Sequence, residues 1–560
     1  MRSRIVRYAF ILLHLTLAFP VMAQQPPELG SDSRLQRPVT IERGGTSLRD
    51  ILQDLSRQTA VPFRVSAGVS SWRACVFVRK LPAAQVMSAL ASTFDLSWRT
   101  SGEGYELYQS SEQKSRQEYE IRQTVTRRKA EIQDALRRLA GRRSGGDGEG
   151  DYRMRSMLQN DPQLVAVLWA LTEDEWQRVL RGTAVLVGAE RVPPRVRREG
   201  NRITTLFVLY YDPLGNGWKL TRYQPSGLSS SGYGLGGEEV SARERKPSDL
   251  LTSSEASARI TDKPRNPQQV IIPEALLALA NATGTGVVAE YCPLTMLPRV
   301  LTYMPTSAKA LLDALDTLRL YTVKRKDGVL QFSARQRVWH RLADIPRETI
   351  ARWMSDQNRF GLTFATALEI WGLTDLQRDA LGEWASFMSV RYQYDAPLRS
   401  MYYNDIAEIA RMRDALLMAA ARLPATARQN LLAGKPVIVS LRNPATREAF
   451  LYASAQLPVT DVGEAWIQAV REQRVRYGVR LITSTPEGGI QLNTIMRDAR
   501  TPEEFRERVM AEGIMGTPCW FRADVEVVRL HGGVGGQVVR SRQLDFFRYT
   551  PVPEQGSRAR

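Results

Sequence analysis

Histidine is scarce in this chain of 560 residues: there are three, and only His340 and His531 lie beyond residue 23. Zinc sites and Ser-His-Asp triads both lean on imidazole, so the common hydrolase mechanisms have no footing in the sequence. Cysteine is equally sparse. Cys75, Cys292 and Cys519 are more than 200 residues apart at each step, which is no metal motif. An odd count leaves at least one thiol outside any intramolecular bridge, and the pairing stays open. Cys75 lies in an apolar run and reads as a small buried hydrophobe. Beyond the first 23 residues no apolar run approaches the roughly 20 residues of a membrane-spanning helix. Lysine is rare as well, 10 of 77 basic residues, the other 67 being arginines spread along the whole chain. The net charge of +18 therefore reads as an even excess among interleaved acids, and no specific nucleic-acid partner is expected. No catalytic, cofactor-binding or metal-ligating residue is read from the sequence.

What is present begins with an export signal. Arg2, Arg4 and Arg7 precede the apolar run Tyr8–Phe19, and Val21-Met22-Ala23 supplies small residues for cleavage. Removal of residues 1–23 takes away three arginines, leaves Gln24 first and lowers the formal charge from +18 to +15. The expected location is the periplasm or the exterior.

Residues 38–110 form the stretch around which the chain is organised. An extended piece, Pro38–Glu42, leads to a turn at Gly44-Gly45. Thr46 or Ser47 then caps a helix with Leu48, Ile51, Leu52 and Leu55 on one face. Strands follow at Phe63–Val65 and Ala74–Val78, then a helix from Ala83 to Phe94 with Val86, Met87 and Leu90 inward. A hairpin, Leu96–Trp98 and Tyr105–Leu107 about Gly102–Gly104, closes the unit. Pro273, Leu276, Leu277 and Ala280 repeat the first helix 225 positions on, and Leu311, Leu312, Ala314 and Leu315 repeat the second. A second match, at an offset of 252, pairs Leu171, Leu180, Gly182, Val185 and Val187 with Leu423, Leu432, Gly434, Val437 and Val439. Both matches keep the same order, as an internal duplication would.

The residues Val39–Ile41, Ser47–Leu52, Val76–Val78 and Leu81-Pro82-Ala83, leading into Val86 and Leu90, give this unit a likeness. It resembles the short N-terminal (STN) domain shared by secretins and TonB-dependent receptors. The resemblance covers about an eighth of the chain per copy and implies a small α+β fold that makes contacts in the periplasm. The copies stand in tandem, and no secretin or receptor barrel is read after them.

Between and beyond the copies, Ser115–Arg143 reads as a charged helix burying Ile121, Val125, Ile132, Leu136 and Leu139. Its arginines, Arg127 and Arg128 among them, are expected on a solvated face. A helical and hairpin module fills 115–225, and the Ser-Gly-rich and proline-marked stretch 226–267 reads as a flexible linker. The second STN-like copy spans 268–335. A helix-rich module, 336–458, holds Trp339, Trp353, Trp371 and Trp384 as core residues. A C-terminal α+β region, 459–560, has helices at Glu464–Glu472 and Pro502–Ala511. The adjacent acids Asp174-Glu175, Glu238-Glu239 and Glu503-Glu504 read as solvated.

The whole is expected to be an α+β protein of the cell envelope, an interaction scaffold whose partner is another envelope protein and which needs no cofactor. Two rivals remain at this level: a carboxylate-based glycan hydrolase, and a polyanion binder with arginines of both copies on one face.

Overall fold

The computed structural model describes residues 29–141, 162–188, 191, 206–214, 217–224, 227–234, 246–355, 364–393, 396–411, 421, 423–432, 437–440, 477–487, 519–530 and 536–549. The stretch read as an export signal, residues 1–23, and the helices expected at 464–472 and 502–511 lie outside them. The fold is α+β, with several small sheets.

The first copy is β1 (Pro38–Ser47), α1 (Leu48–Thr59), β2 (Phe63–Val65), β3 (Arg73–Pro82), α2 (Ala83–Phe94) and the hairpin β4 (Ser97–Ser101) and β5 (Gly104–Tyr108). Helix α1 starts where the Ser47 hydroxyl accepts from the Asp50 N–H at 3.2 Å, and it stops at Ala60, whose backbone is left-handed. Its buried face is Leu48, Ile51, Leu52 and Leu55. The long helix α3 (Ser111–Gly141) follows, then α4 (Pro162–Trp169) and α5 (Glu173–Leu180). Strands β6 (Val185–Gly188), β7 (Leu206–Asp212), β8 (Gly217–Gln224) and β9 (Gly227–Gly234) form an antiparallel meander.

The expected flexible linker is different in the structure. Its first part is β9, paired along β8, and its second part is a short helix, α6 (Ser253–Ser257), pinned by Glu255. That carboxylate accepts from Arg325 at 2.6 Å and from the Thr285 hydroxyl at 2.6 Å. A polar composition thus conceals a segment held by side-chain hydrogen bonds and by the packing of Leu250, Leu251, Ala258 and Ile260 on the core.

The second copy comprises α7 (Ile272–Thr283), β10 (Gly286–Tyr291), the short α8 (Pro293–Met296), α9 (Ala308–Thr317), β11 (Tyr321–Lys326) and β12 (Val329–Ala334). It repeats the first in its two main helices and its three closing strands, with the single bridge Val270–Leu301 where the first has the β1–β3 ladder. In α1 the Thr59 hydroxyl donates to the Leu55 carbonyl at 2.9 Å and accepts from the Val61 N–H at 3.2 Å. In α7 Thr283 does the same with Leu279 and Thr285, at 2.8 and 3.2 Å. Strand β2 runs parallel to β5 as β10 runs parallel to β12, and each pair is closed by an antiparallel hairpin. The register of α7 differs by one residue from the sequence reading: Ile272, Ala275, Leu276 and Leu279 are buried, and Leu277 is only half-buried.

The copies are not separate bodies. Strand β3 of the first pairs antiparallel with β10 of the second, Val76 opposite Val288 and Cys75 opposite Ala289. The result is one five-stranded sheet in the order β1-β3-β10-β12-β11. Each copy also lends a helix to the other's strands: α7 lies over β1 and β3, and α2 over β10 and β12. The turn expected at Gly44-Gly45 is a bulge inside β1, and it serves this packing. A Cβ on Gly44 would stand 3.0 Å from Pro273, and one on left-handed Gly45 would stand 2.9 Å from the Tyr291 ring.

After β12 come the helices α10 (Arg337–Ala343), α11 (Arg347–Ser355), α12 (Phe364–Trp371), α13 (Asp375–Tyr392), α14 (Pro397–Arg411) and α15 (Ala425–Leu432). Trp339, Trp353, Trp371 and Trp384 are all buried among them, as the apolar neighbours of each imply. Strand β13 (Val437–Ser440) then pairs with β14 (Tyr477–Glu487), which leads to β15 (Cys519–Leu530) and β16 (Gly536–Tyr549). This second four-stranded meander crosses the boundary drawn at residue 458. Its element order is that of the first meander: α5 and β6 stand to β7–β9 as α15 and β13 stand to β14–β16.

Candidate functional site

Two clefts open on either side of Arg335-Gln336, where β12 gives way to α10. Gln336 has a left-handed backbone, φ 52°, unusual for a residue with a side chain and a common mark of positions where the chain is forced into a turn. The first cleft, about 430 Å³, lies between α3, the Tyr211–Pro213 corner and the segment Ala334–Trp339. Ile121, Val125, Leu180 and Trp339 form its apolar wall; Arg127, Arg128, Arg335 and Arg337 line it with Glu120. Arg128 bonds Glu131 at 3.0 Å, and Arg335 donates to the Tyr321 carbonyl at 2.8 Å. Arg127 and Arg128, expected on a solvated face, therefore help to build a concave one.

The second cleft, about 410 Å³, is walled by α8, the turn before β11, α10 and α13. It holds His340, Arg299, Asp212, Asp379 and Glu383. His340 is buried, and its Nδ1 lies 2.8 Å from the Thr295 hydroxyl. That hydroxyl donates to the Cys292 carbonyl at 3.3 Å, so it accepts from His340, which places the imidazole proton on Nδ1. Burial, helped by Arg299, pulls the His340 pKa down to about 3. The ring is thus neutral at physiological pH. Asp379 is held by Lys219 at 2.5 Å.

Behind both clefts the seam between the copies carries a buried ion pair. Glu290 on β10 accepts from Arg341 Nε at 2.7 Å, with side chains 1 % and 7 % exposed. Arg341 also donates to the Phe94 carbonyl at 2.9 Å and stacks 3.6 Å above the Trp72 ring. The pair thereby ties β10 of the second copy, through α10, to α2 and Trp72 of the first. Tyr321 donates to the Glu290 carbonyl at 3.0 Å.

No site residue was expected from sequence, and the clefts explain why: each is assembled from distant stretches, Glu120–Arg128 with Thr322–Trp339 in the first and Asp212 with Thr295–His340 and Leu376–Glu383 in the second. One signal was legible, the lone acid in the apolar run Gly286–Tyr291. Of the adjacent acids, Glu175 is not simply solvated. It closes a capping box with Thr172 and pairs with Arg191 at 2.6 Å. Cys75 and Cys292 are buried free thiols. Cys75 stands opposite Ala289, and Cys292 lies just past the end of β10, at the start of α8. Among the described residues no group of three or more His, Cys, Asp or Glu side chains is placed to hold a metal ion, and no helix is long and apolar enough to cross a membrane. Compared with protein-family models, with curated proteins and with solved structures, the chain matches none.

Proposed function

We propose that this protein is exported to the cell envelope and acts there as an interaction scaffold, its paired STN-like copies forming one platform for another envelope protein. The observation that supports this reading is the five-stranded sheet shared by the copies, with its buried Glu290–Arg341 clamp. Such a seam holds two modules at one fixed relative angle, which is what presenting a surface requires. Side chains occupy part of both outer strands of this sheet. The Gln58 amide takes up both the N–H and the carbonyl of Thr40 on β1 at 2.9 Å, and Arg325 of β11 is tied to the Leu250 carbonyl and to Glu255. Contacts through the clefts and helix faces remain.

One observation favours a second reading. The cleft beside His340 gathers Asp212, Asp379 and Glu383, and two carboxylates facing one cleft are the minimum for glycoside hydrolysis. Affinity isolation from envelope extracts, with the mature chain as bait, followed by reconstitution with each purified candidate separates the two readings. The scaffold predicts a stoichiometric complex and no turnover of envelope glycans. Release of sugar fragments that is lost in both Asp379→Asn and Glu383→Gln would establish the hydrolase instead.

A further inference from the structure

We propose that the cleft between α3 and the Ala334–Trp339 segment is an anion-binding site for a compact ligand bearing carboxylate or phosphate groups beside an apolar part. This goes beyond the scaffold reading and does not depend on it.

Four arginines line the cleft against one acid, Glu120. They come from two distant stretches, Arg127 and Arg128 on α3, and Arg335 and Arg337 around Gln336. Their neighbours are unequal. Arg127 and Arg128 share Glu131, at 3.9 and 3.0 Å, and Asp316 lies 3.9 Å from Arg335. For Arg337 no ion pair is found among the described residues. Guanidinium groups gathered in a concave, half-apolar setting favour an anion, and their fork geometry suits two-oxygen groups. Thr124, Thr322 and Gln336 add neutral hydrogen-bonding groups to the lining.

Volume sets the ligand's size. About 430 Å³ falls at the lower end for small-molecule sites and suits a side-chain cluster or a small acid, not a polymer lying across the surface. The charge that an even spread of arginine conceals in the sequence is focused here by folding.

The test is isothermal titration of the mature full-length chain with three probes: inorganic phosphate, a capped tetraglutamate peptide and a capped tetraglutamine peptide. The expected result is saturable one-to-one binding of at least one anionic probe, weakened by added salt, and none of the glutamine peptide. Which anion binds tells a phosphate-bearing ligand from a carboxylate-bearing one. Arg337→Glu should weaken binding at least tenfold with an unchanged melting temperature, and Arg337→Lys should restore part of it. Arg127→Gln, on a side chain 61 % exposed, supplies the same readout should the first variant fold poorly. Absence of saturable binding by both anions, equal binding of the glutamine peptide, or affinity untouched by these variants would each overturn the proposal.

Discussion

Glu290 and Arg341 meet where both copies are dry, so each charge depends on the other. Replacing Arg341 by methionine leaves a buried carboxylate without its cation, a change that typically removes about 3–5 kcal/mol. The double variant Glu290→Gln, Arg341→Met should lose clearly less; urea unfolding of the single and double variants measures the difference. His340 gives a pH signature. Its folded pKa is near 3, below the ordinary 6.5, so the unfolded chain takes up a proton that the folded one refuses. Stability from this residue is therefore complete above 6.5 and is lost as acid is added towards 3. Asp344, pushed up from 3.8 to about 6 by burial, acts in the opposite sense between those values. The comparison that isolates His340 is His340→Gln, whose stability should fall less steeply between pH 6 and 4 than that of the parent chain (roughly the window between the two ordinary pKa values). Cys75, pushed up to about 12 by burial, and Cys292, raised likewise, should resist a thiol reagent in the native protein and react fully in denaturant. Rapid native labelling of either would contradict their placement.

At the scale of elements, much of the fold was legible and the errors have physical causes. Helix α1 follows from apolar spacing because it has one buried and one wet side, and in α2 the polar Gln85, Ser88 and Ser92 mark the face turned from the core. In α7 that contrast fails: Ala275, Leu276, Leu277, Ala278, Leu279 and Ala280 are apolar all round, so periodicity cannot choose a face. The structure buries Leu276 completely and Leu277 partly. Leu276→Ala should consequently cost about 2–5 kcal/mol and Leu277→Ala distinctly less, in chemical unfolding of each. Strand β10 was missed altogether, though Gly286–Tyr291 is buried at every position. A strand covered on both faces shows no alternation, and one of its two partners, β3, lies about 200 residues away. The glycine pair in β1 read as a turn for a related reason: sequence shows that glycine is needed, but not that Pro273 and Tyr291 of the other copy are what require it.

For the whole molecule, the clefts were beyond reach of sequence because tertiary contact alone brings α3, the meander corner and the start of α10 together. Two offsets, 225 and 252, were visible in the sequence, each marking one module type. What the offsets imply for stability is the reverse of what a linker between them suggests. Two copies joined only by a flexible tether would unfold separately, whereas copies sharing a sheet and exchanging helices should open together. Hydrogen exchange read by mass spectrometry on the full chain, parent against Leu52→Ala, tests this most directly. Leu52 is 1 % exposed in the first copy and belongs to the core on the α1 and α2 side of the sheet. The shared sheet predicts that its loss lowers protection in both 73–78 and 286–291. If 286–291 keeps the parent's protection while 73–78 loses it, the two copies are independent and the shared sheet is not the unit that holds this protein together.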